Sequence, residues 1–344
     1  MTAMTESRMR REVLEIPAAV ERLLAEGAGA IGAAARAVTG RDPAFLVTVA
    51  RGSSDNAATF FKYASELLTG LPVASVGPSV ASVYGRRLRL GGSVCLAISQ
   101  SGRSPDIVSM ARMAGEEGAL TLALTNAGES DLARACAMTL DIRAGAELSV
   151  AATKTFVNSA VAALWLLGEI AGDRGLLAAI RGLPEALAEA AATRWDALAE
   201  ALGAAGSLYC LGRGPGFAVS NEAALKFKET CRLHAESFSS AEVLHGPVSI
   251  VGQGFPVLAL AVADAAEAGL AAVADDLAAK GATAFATSPL ARQAVVLPAV
   301  RTAHPLTDPL ALIVTFYAMV EEVARARGID PDAPRHLRKV TETV

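Results

Sequence analysis

Short apolar runs punctuate the first half of the chain: FLVTVA at 45–50, SVCLAI at 93–98, LTLALT at 120–125 and MTLDI at 138–142. Longer stretches lie between them, DNAATFFKYASELL, PDIVSMARMAGEEG and ESDLARAC, in which alanine and larger apolar residues recur at helical spacing. The runs are short and β-branched, and they alternate with the longer helical stretches. The pattern therefore predicts an α/β protein whose parallel sheet carries helices on both faces.

The second half repeats the first. LYCLGRGPGFAVSNEAALKF (208–227) aligns with LVTVARGSSDNAATFFKY (46–63), placing Arg213-Gly214 on Arg51-Gly52, and FPVLALA followed by GATAFATSP aligns with SVCLAIS followed by GALTLALTN. This is an internal duplication. The copies are joined by VNSAVAALWLLGEIAG and GLLAAIRGLPEALAEAAATRWDALAEAL, which are helical rather than Gly-Ser linkers. The expected organisation is a helical segment over 1–40, a first domain over 41–190, a second over 191–327 and a tail over 328–344 that forms an irregular segment or lid.

One loop breaks the pattern in an informative way. After SVCLAI the chain reads Ser99-Gln100-Ser101-Gly102-Arg103-Ser104-Pro105-Asp106. Gly102 permits a tight turn, Ser104 suits a helix N-cap, Pro105 the first helical position and Asp106 the first turn. Ligands of parallel sheets lie beyond the carboxyl ends of the strands, and unpaired N–H groups at a helix start attract anions. One hydroxyl is enough for a cap; three hydroxyls and an amide exceed that need. No GKS/T lysine follows, so a sugar phosphate fits the loop better than a nucleotide. Ser53, in the matching Arg51-Gly52-Ser53-Ser54 turn, is a candidate for the same ligand.

Composition narrows the partners. The 344 residues are 52% hydrophobic, enough for two cores, and 31 basic against 35 acidic residues leave a net charge of -4. No general affinity for nucleic acid or an anionic membrane follows, and no apolar run approaches the ~18 residues of a membrane span. The opening MTAMTESRMRREVLE lacks the features of a secretory signal, so a cytoplasmic location is expected. The four cysteines, Cys95, Cys136, Cys210 and Cys231, form no CxxC pair and read as reduced and packed; neither they nor the four histidines have metal-ligand spacing, so no metal and no cofactor is expected.

A second group of residues carries chemistry. In NEAALKFKET, Glu222, Lys226 and Glu229 share one helix face, on a helix that opens from the GRGPG turn at the end of a strand. On an ordinary surface helix such spacing means exposed ion pairs. His245 occurs in AEVLHGP, and Lys339 in the polar tail PRHLRK.

Taken together, SQSGxSxD after a strand, GAELSVAATKTF, EAALKFKE, AEVLHGP and PRHLRK, preceded by MRREVLEIP, resemble the double-SIS sugar isomerase family: the isomerase half of glucosamine-6-phosphate synthase and the stand-alone SIS-type deaminases. The resemblance spans nearly the whole chain. It implies two tandem SIS domains with flavodoxin-like sheets and a hexose 6-phosphate held by the loop of Ser99, Gln100, Ser101 and Ser104. It further implies that Glu229 transfers the proton between C1 and C2 with Lys226 beside it, and that Glu222 supports them. By the same resemblance His245 opens the sugar ring and is contributed by the partner of a homodimer, and Lys339 forms a Schiff base with the open-chain ketose. Glu147 faces the sugar, with backbone contacts from Val150 and Ala152.

The chain given opens Met-Thr-Ala and reaches its first repeat by about residue 45, with no glutaminase nucleophile ahead of it. The expected reaction is therefore glucosamine 6-phosphate to fructose 6-phosphate plus ammonia. Arg103 gives the loop the SGRSPD form of the stand-alone relatives. Galactosamine 6-phosphate or fructosamine 6-phosphate as substrate, a plain phosphosugar isomerase, and a non-catalytic phosphosugar sensor are the alternatives.

Overall fold

A computed structural model describes residues 6–339. The chain forms two compact units that interleave along the sequence. The first comprises residues 18–147, 154–181 and 338–339; the second comprises 6–17, 148–153 and 182–337.

The first unit holds a five-stranded parallel sheet of β1 (Leu46–Val49), β2 (Val73–Ser75), β3 (Val94–Ile98), β4 (Leu120–Thr125) and β5 (Met138–Asp141), in the order β2-β1-β3-β4-β5. That is the flavodoxin-like order, which follows from right-handed crossovers running in both directions from β1. β1 and β3 are buried along their whole length, and Val47, Val49, Cys95 and Ala97 pack on Ile107, Met110 and Ala111 of the helix Pro105–Glu116. The helix Lys154–Ala171 is buried nearly all round, in keeping with the apolar content of VNSAVAALWLLG.

The second unit repeats the plan. β6 (Ser207–Gly212), β7 (His234–Ser239), β8 (Pro256–Ala259), β9 (Thr283–Ala286) and β10 (Val295–Val296) form a parallel sheet in the order β10-β9-β8-β6-β7, the same order read from the other edge. The correspondence extends to single residues. Val49 pairs with Ala97 in one sheet as Leu211 pairs with Ala259 in the other. Gly52 (φ 55°, ψ -132°) and Gly214 (φ 54°, ψ -134°) then each cap a helix of 17 residues, Ser53–Thr69 and Pro215–Cys231. Both are left-handed turns that glycine adopts without cost. The duplication read from the sequence is thus reproduced in topology, register and backbone angles.

Three edge strands carry no apolar run. β2 has only its first residue buried, β7 reads HAESFS, and β10 is two exposed valines. Among the described residues no helix is long and apolar enough to cross a membrane, and no group of three His, Cys, Asp or Glu side chains could hold a metal ion. The cysteines are unbridged, and burial pushes the Cys95 thiol up to about 12 and those of Cys136 and Cys231 to about 11, disfavouring the thiolate.

Candidate active site

In the first unit the loop between β3 and the helix Pro105–Glu116 is built as a turn around Gly102 (φ 61°). Ser99 Oγ accepts the N–H of Gly102 at 3.2 Å, and Ser101 Oγ that of Arg103 at 3.3 Å. The Gln100 carbonyl takes the N–H of Asn126 at 3.1 Å, tying the loop to the end of β4. Ser104 stands at the N-cap with Pro105 after it, but its hydroxyl makes no capping bond. Pro105 brings no N–H to this helix start and Asp106 Oδ1 takes the N–H of Ile107 at 2.8 Å, leaving the Ser104 hydroxyl as the group there without a capping bond. Ser53 begins the helix after the neighbouring strand β1 and is half-buried.

The same unit unites Glu147 with the tail. Glu147 is 5% exposed, and its carboxylate accepts the backbone N–H of Thr155 at 3.1 Å and the Thr155 hydroxyl at 2.7 Å. Lys339 Nζ lies 2.6 Å from Glu147 Oε2, with the lysine side chain 24% exposed. A lysine in a polar tail would ordinarily point into water; here a buried carboxylate fixes it. Tail residues 340–344 and the first five residues lie outside the described residues.

In the second unit the helix Pro215–Cys231 buries a charged group. Glu222 and Lys226 side chains are 0% and 1% exposed, whereas Glu229 reaches 20%. Lys226 Nζ is 3.5 Å from Glu222 Oε1 and forms a close ion pair with Glu229. The Tyr317 hydroxyl, from the helix Asp308–Ala326, donates to Glu222 at 3.0 Å. The helix face that would carry solvated ion pairs on a surface helix is thus internal. One buried ammonium thus lies between two carboxylates, of which Glu229 is the more exposed.

Val150 and Ala152 are half-buried in the irregular segment 148–153 of the second unit. That segment is held by a residue the sequence did not single out. Glu12, 4% exposed on the helix Arg8–Leu14, accepts the N–H of Ser149 at 3.2 Å and closely that of Leu148. Its place in MRREVLEIP was the available signal. His245 ends a 3-10 turn, Glu242–His245, before Gly246 (φ 139°), and is exposed.

Fold and loops define a duplicated parallel α/β protein with a serine-rich loop after β3 and a helix that buries a carboxylate-lysine pair. The family model described as SIS domain matches residues 43–168. A crystal structure of a protein provisionally named a phosphosugar isomerase, from Silicibacter pomeroyi DSS-3, is 63% identical, with a TM-score of 0.93 over 95% of this chain and 100% of that one. The glutamine-fructose-6-phosphate aminotransferase (isomerizing) of Aeropyrum pernix is 34% identical over 313 residues, 86% of this chain and 50% of the relative. The chain spans about half the length of the curated relatives it matches. The glucosamine-6-phosphate deaminase of Thermotoga maritima shares the fold, with a TM-score of 0.76 at 20% identity over 98% of this chain. The chain belongs to the SIS-domain family, with two such units in tandem.

Proposed function

We propose that the protein is an aminosugar-6-phosphate deaminase of the aldose-ketose isomerising kind, taking glucosamine 6-phosphate and water to fructose 6-phosphate and ammonia. The observation that carries this reading is the Glu222-Lys226-Glu229 group, in which a buried ammonium sits between two carboxylates and only Glu229 reaches solvent. Aldose-ketose conversion needs one base that takes a proton from C2 and returns it to C1. Glu229 is that base. Lys226 pairs with it and stabilises the charge that develops on the enolamine.

The other groups take the remaining steps. The loop of Ser99, Gln100, Ser101 and Ser104, with Ser53, holds the phosphate. His245 from the partner of a homodimer assists ring opening. After proton transfer the C2 imine is hydrolysed, directly or after exchange onto Lys339; water supplies the ketone oxygen and nitrogen leaves as ammonia. The relatives named as aminotransferases act, by their names, on fructose 6-phosphate, the product of this reaction.

The test is to give the purified protein glucosamine 6-phosphate without glutamine and measure ammonia and fructose 6-phosphate, which should appear in equal amounts. Interconversion of glucose 6-phosphate and fructose 6-phosphate without ammonia would make it a plain isomerase. Turnover of galactosamine 6-phosphate or fructosamine 6-phosphate instead would change the substrate. Tight binding with no turnover of any would make it a sensor.

A further inference from the structure

Arg51 lies at the carboxyl end of β1, two residues beyond Val49, whose partner in β3 is Ala97. The register therefore sets Arg51 beside Ser99, where the phosphate loop begins. Its Nε and Nη2 donate to Asp106 Oδ2 at 3.0 and 2.9 Å, and Asp106 is in the first turn of the helix that the loop opens. Asp106 is 0% exposed, whereas the arginine side chain is 53% exposed. A guanidinium has five N–H donors in a fixed plane, and the third nitrogen, Nη1, makes no hydrogen bond among the described residues. Asp55, on the neighbouring helix, also feels this charge: burial pushes its carboxyl up and Arg51 opposes the shift.

The duplication supplies an internal control. At the matching position of the second sheet Arg213 follows the same strand, and its Nη1 donates to Ser239 Oγ of β7 at 2.9 Å. In that copy the residues matching Ser99, Ser101 and Ser104 are Ala261, Ala263 and Ala266, and the residue matching Asp106 is Ala268. The three hydroxyls and the acid at the Asp106 position are lost together, the helix start carrying Glu267 one residue earlier instead, and the arginine turns to another strand. A buried carboxylate in an anion-binding loop would repel the anion. Its presence only in the copy with the serines is explained if it aims a cation at the site.

We infer that Arg51, held in place by Asp106, is a phosphate ligand, a second cation beside the exposed Arg103 of the serine loop. This rests on the phosphate-loop assignment of the proposed function. Asp106 takes one edge of the guanidinium, and the free Nη1 and outer N–H groups meet the phosphate oxygens, the fork geometry suited to phosphate.

The competing role is that Arg51 only neutralises Asp106, and a double-mutant cycle separates the two. Binding of fructose 6-phosphate and of inorganic phosphate would be measured by calorimetry for wild type, Arg51→Ala, Asp106→Asn and the double variant, with folding followed by circular dichroism. Arg51→Ala should weaken fructose 6-phosphate binding about tenfold or more. The double variant should remain as weak, because removing the acid does not restore the lost contact. Recovery of wild-type affinity in the double variant, or unchanged affinity in Arg51→Ala, overturns the inference while leaving the proposed function standing. Wild type that binds neither ligand overturns both. Should Arg51→Ala fail to fold, Arg51→Lys carries the test: it keeps the charge but not the fork, and affinity equal to wild type would overturn the inference.

Discussion

Lys339 and Glu147 are 192 residues apart in the chain, and Lys339 Nζ is 2.6 Å from Glu147 Oε2. The carboxylate is fully buried and also accepts two hydrogen bonds from Thr155, so its position is fixed from the amino end of the helix Lys154–Ala171. An acceptor held this way sets where the ammonium can go. The cost of burying the carboxylate is offset by three charge-assisted donors.

If Lys339 exchanges with the C2 imine, then Lys339→Ala should lower deaminase turnover by about a hundredfold or more while barely changing thermal stability, since the side chain contributes little to a core. Glu147→Gln should do something different. It leaves the amine in place but removes its counter-charge, so turnover should fall less and its pH dependence should change. Steady-state kinetics from acid to alkaline pH, with melting curves alongside, distinguishes these. Full turnover by Lys339→Ala would remove the lysine from the chemistry.

Glu229→Gln preserves shape and removes the base. Exchange of solvent deuterium into the substrate carbon should fall by roughly 10²- to 10⁴-fold, the usual contribution of a positioned general base, with phosphosugar binding retained. Mass spectrometry of recovered sugar reads this directly. Exchange at the wild-type rate would move the base to Glu222 or Glu147.

What could be read in advance follows the physics of each residue. β1, β3 and β4 lie inside a covered sheet and are mostly apolar, with threonine as their only polar residue, so they stand out in the sequence; β7, with the sequence HAESFS, is an edge strand, and nothing in its composition marks it. The serine loop was legible because Gly102, Ser104, Pro105 and Asp106 are local signals of a turn and a helix start. The burial of Lys226 was not, since i,i+3 and i,i+4 charge spacing looks the same whether water or Tyr317 faces the helix. Glu12 holding Ser149 and Asp106 holding Arg51 are contacts across 137 and 55 residues, which periodicity cannot encode.

Gly102 has a steric as well as a conformational reason to be glycine. A Cβ there would lie 2.0 Å from Ser130 Oγ and 2.5 Å from Ser130 Cβ, and the residue is at φ 61°. Ser130 cannot simply move away, because its hydroxyl caps the helix Asp131–Ala135 by accepting the N–H of Ala133 at 3.3 Å. Gly102→Ala should therefore cost about 2 kcal/mol, combining a left-handed backbone with a lost cap, and should weaken phosphosugar binding. Adding Ser130→Gly removes the clash but not the backbone strain, so binding should recover further than stability. Calorimetry and denaturant titration of both variants check the order.

Glu321 gives the molecule a pH-dependent cost outside the candidate site. It lies on the helix Asp308–Ala326 with its side chain 1% exposed, accepts the Ser7 hydroxyl at 2.7 Å and has Arg325 at 3.8 Å. Burial pushes its carboxyl up, and the Ser7 hydrogen bond and the charges of Arg325 and Arg10 only partly oppose this. The unfolded chain releases this proton at the ordinary carboxyl value and the folded chain only at higher pH. Between those values the folded state binds more protons, so stability falls as pH rises. The contribution is fully present below the unfolded value and is lost once pH has passed the folded one. Glu321→Gln, which resembles the protonated acid and does not titrate, should therefore be more stable than wild type at neutral pH, by on the order of 1 kcal/mol. That corresponds to about 1 to 2 °C in melting temperature for a chain of this size. The difference should shrink toward zero as pH is lowered through the carboxyl range. Melting curves of the two proteins across that range test the sign, and a variant less stable than wild type at neutral pH would show that Ser7 and Arg325 outweigh burial.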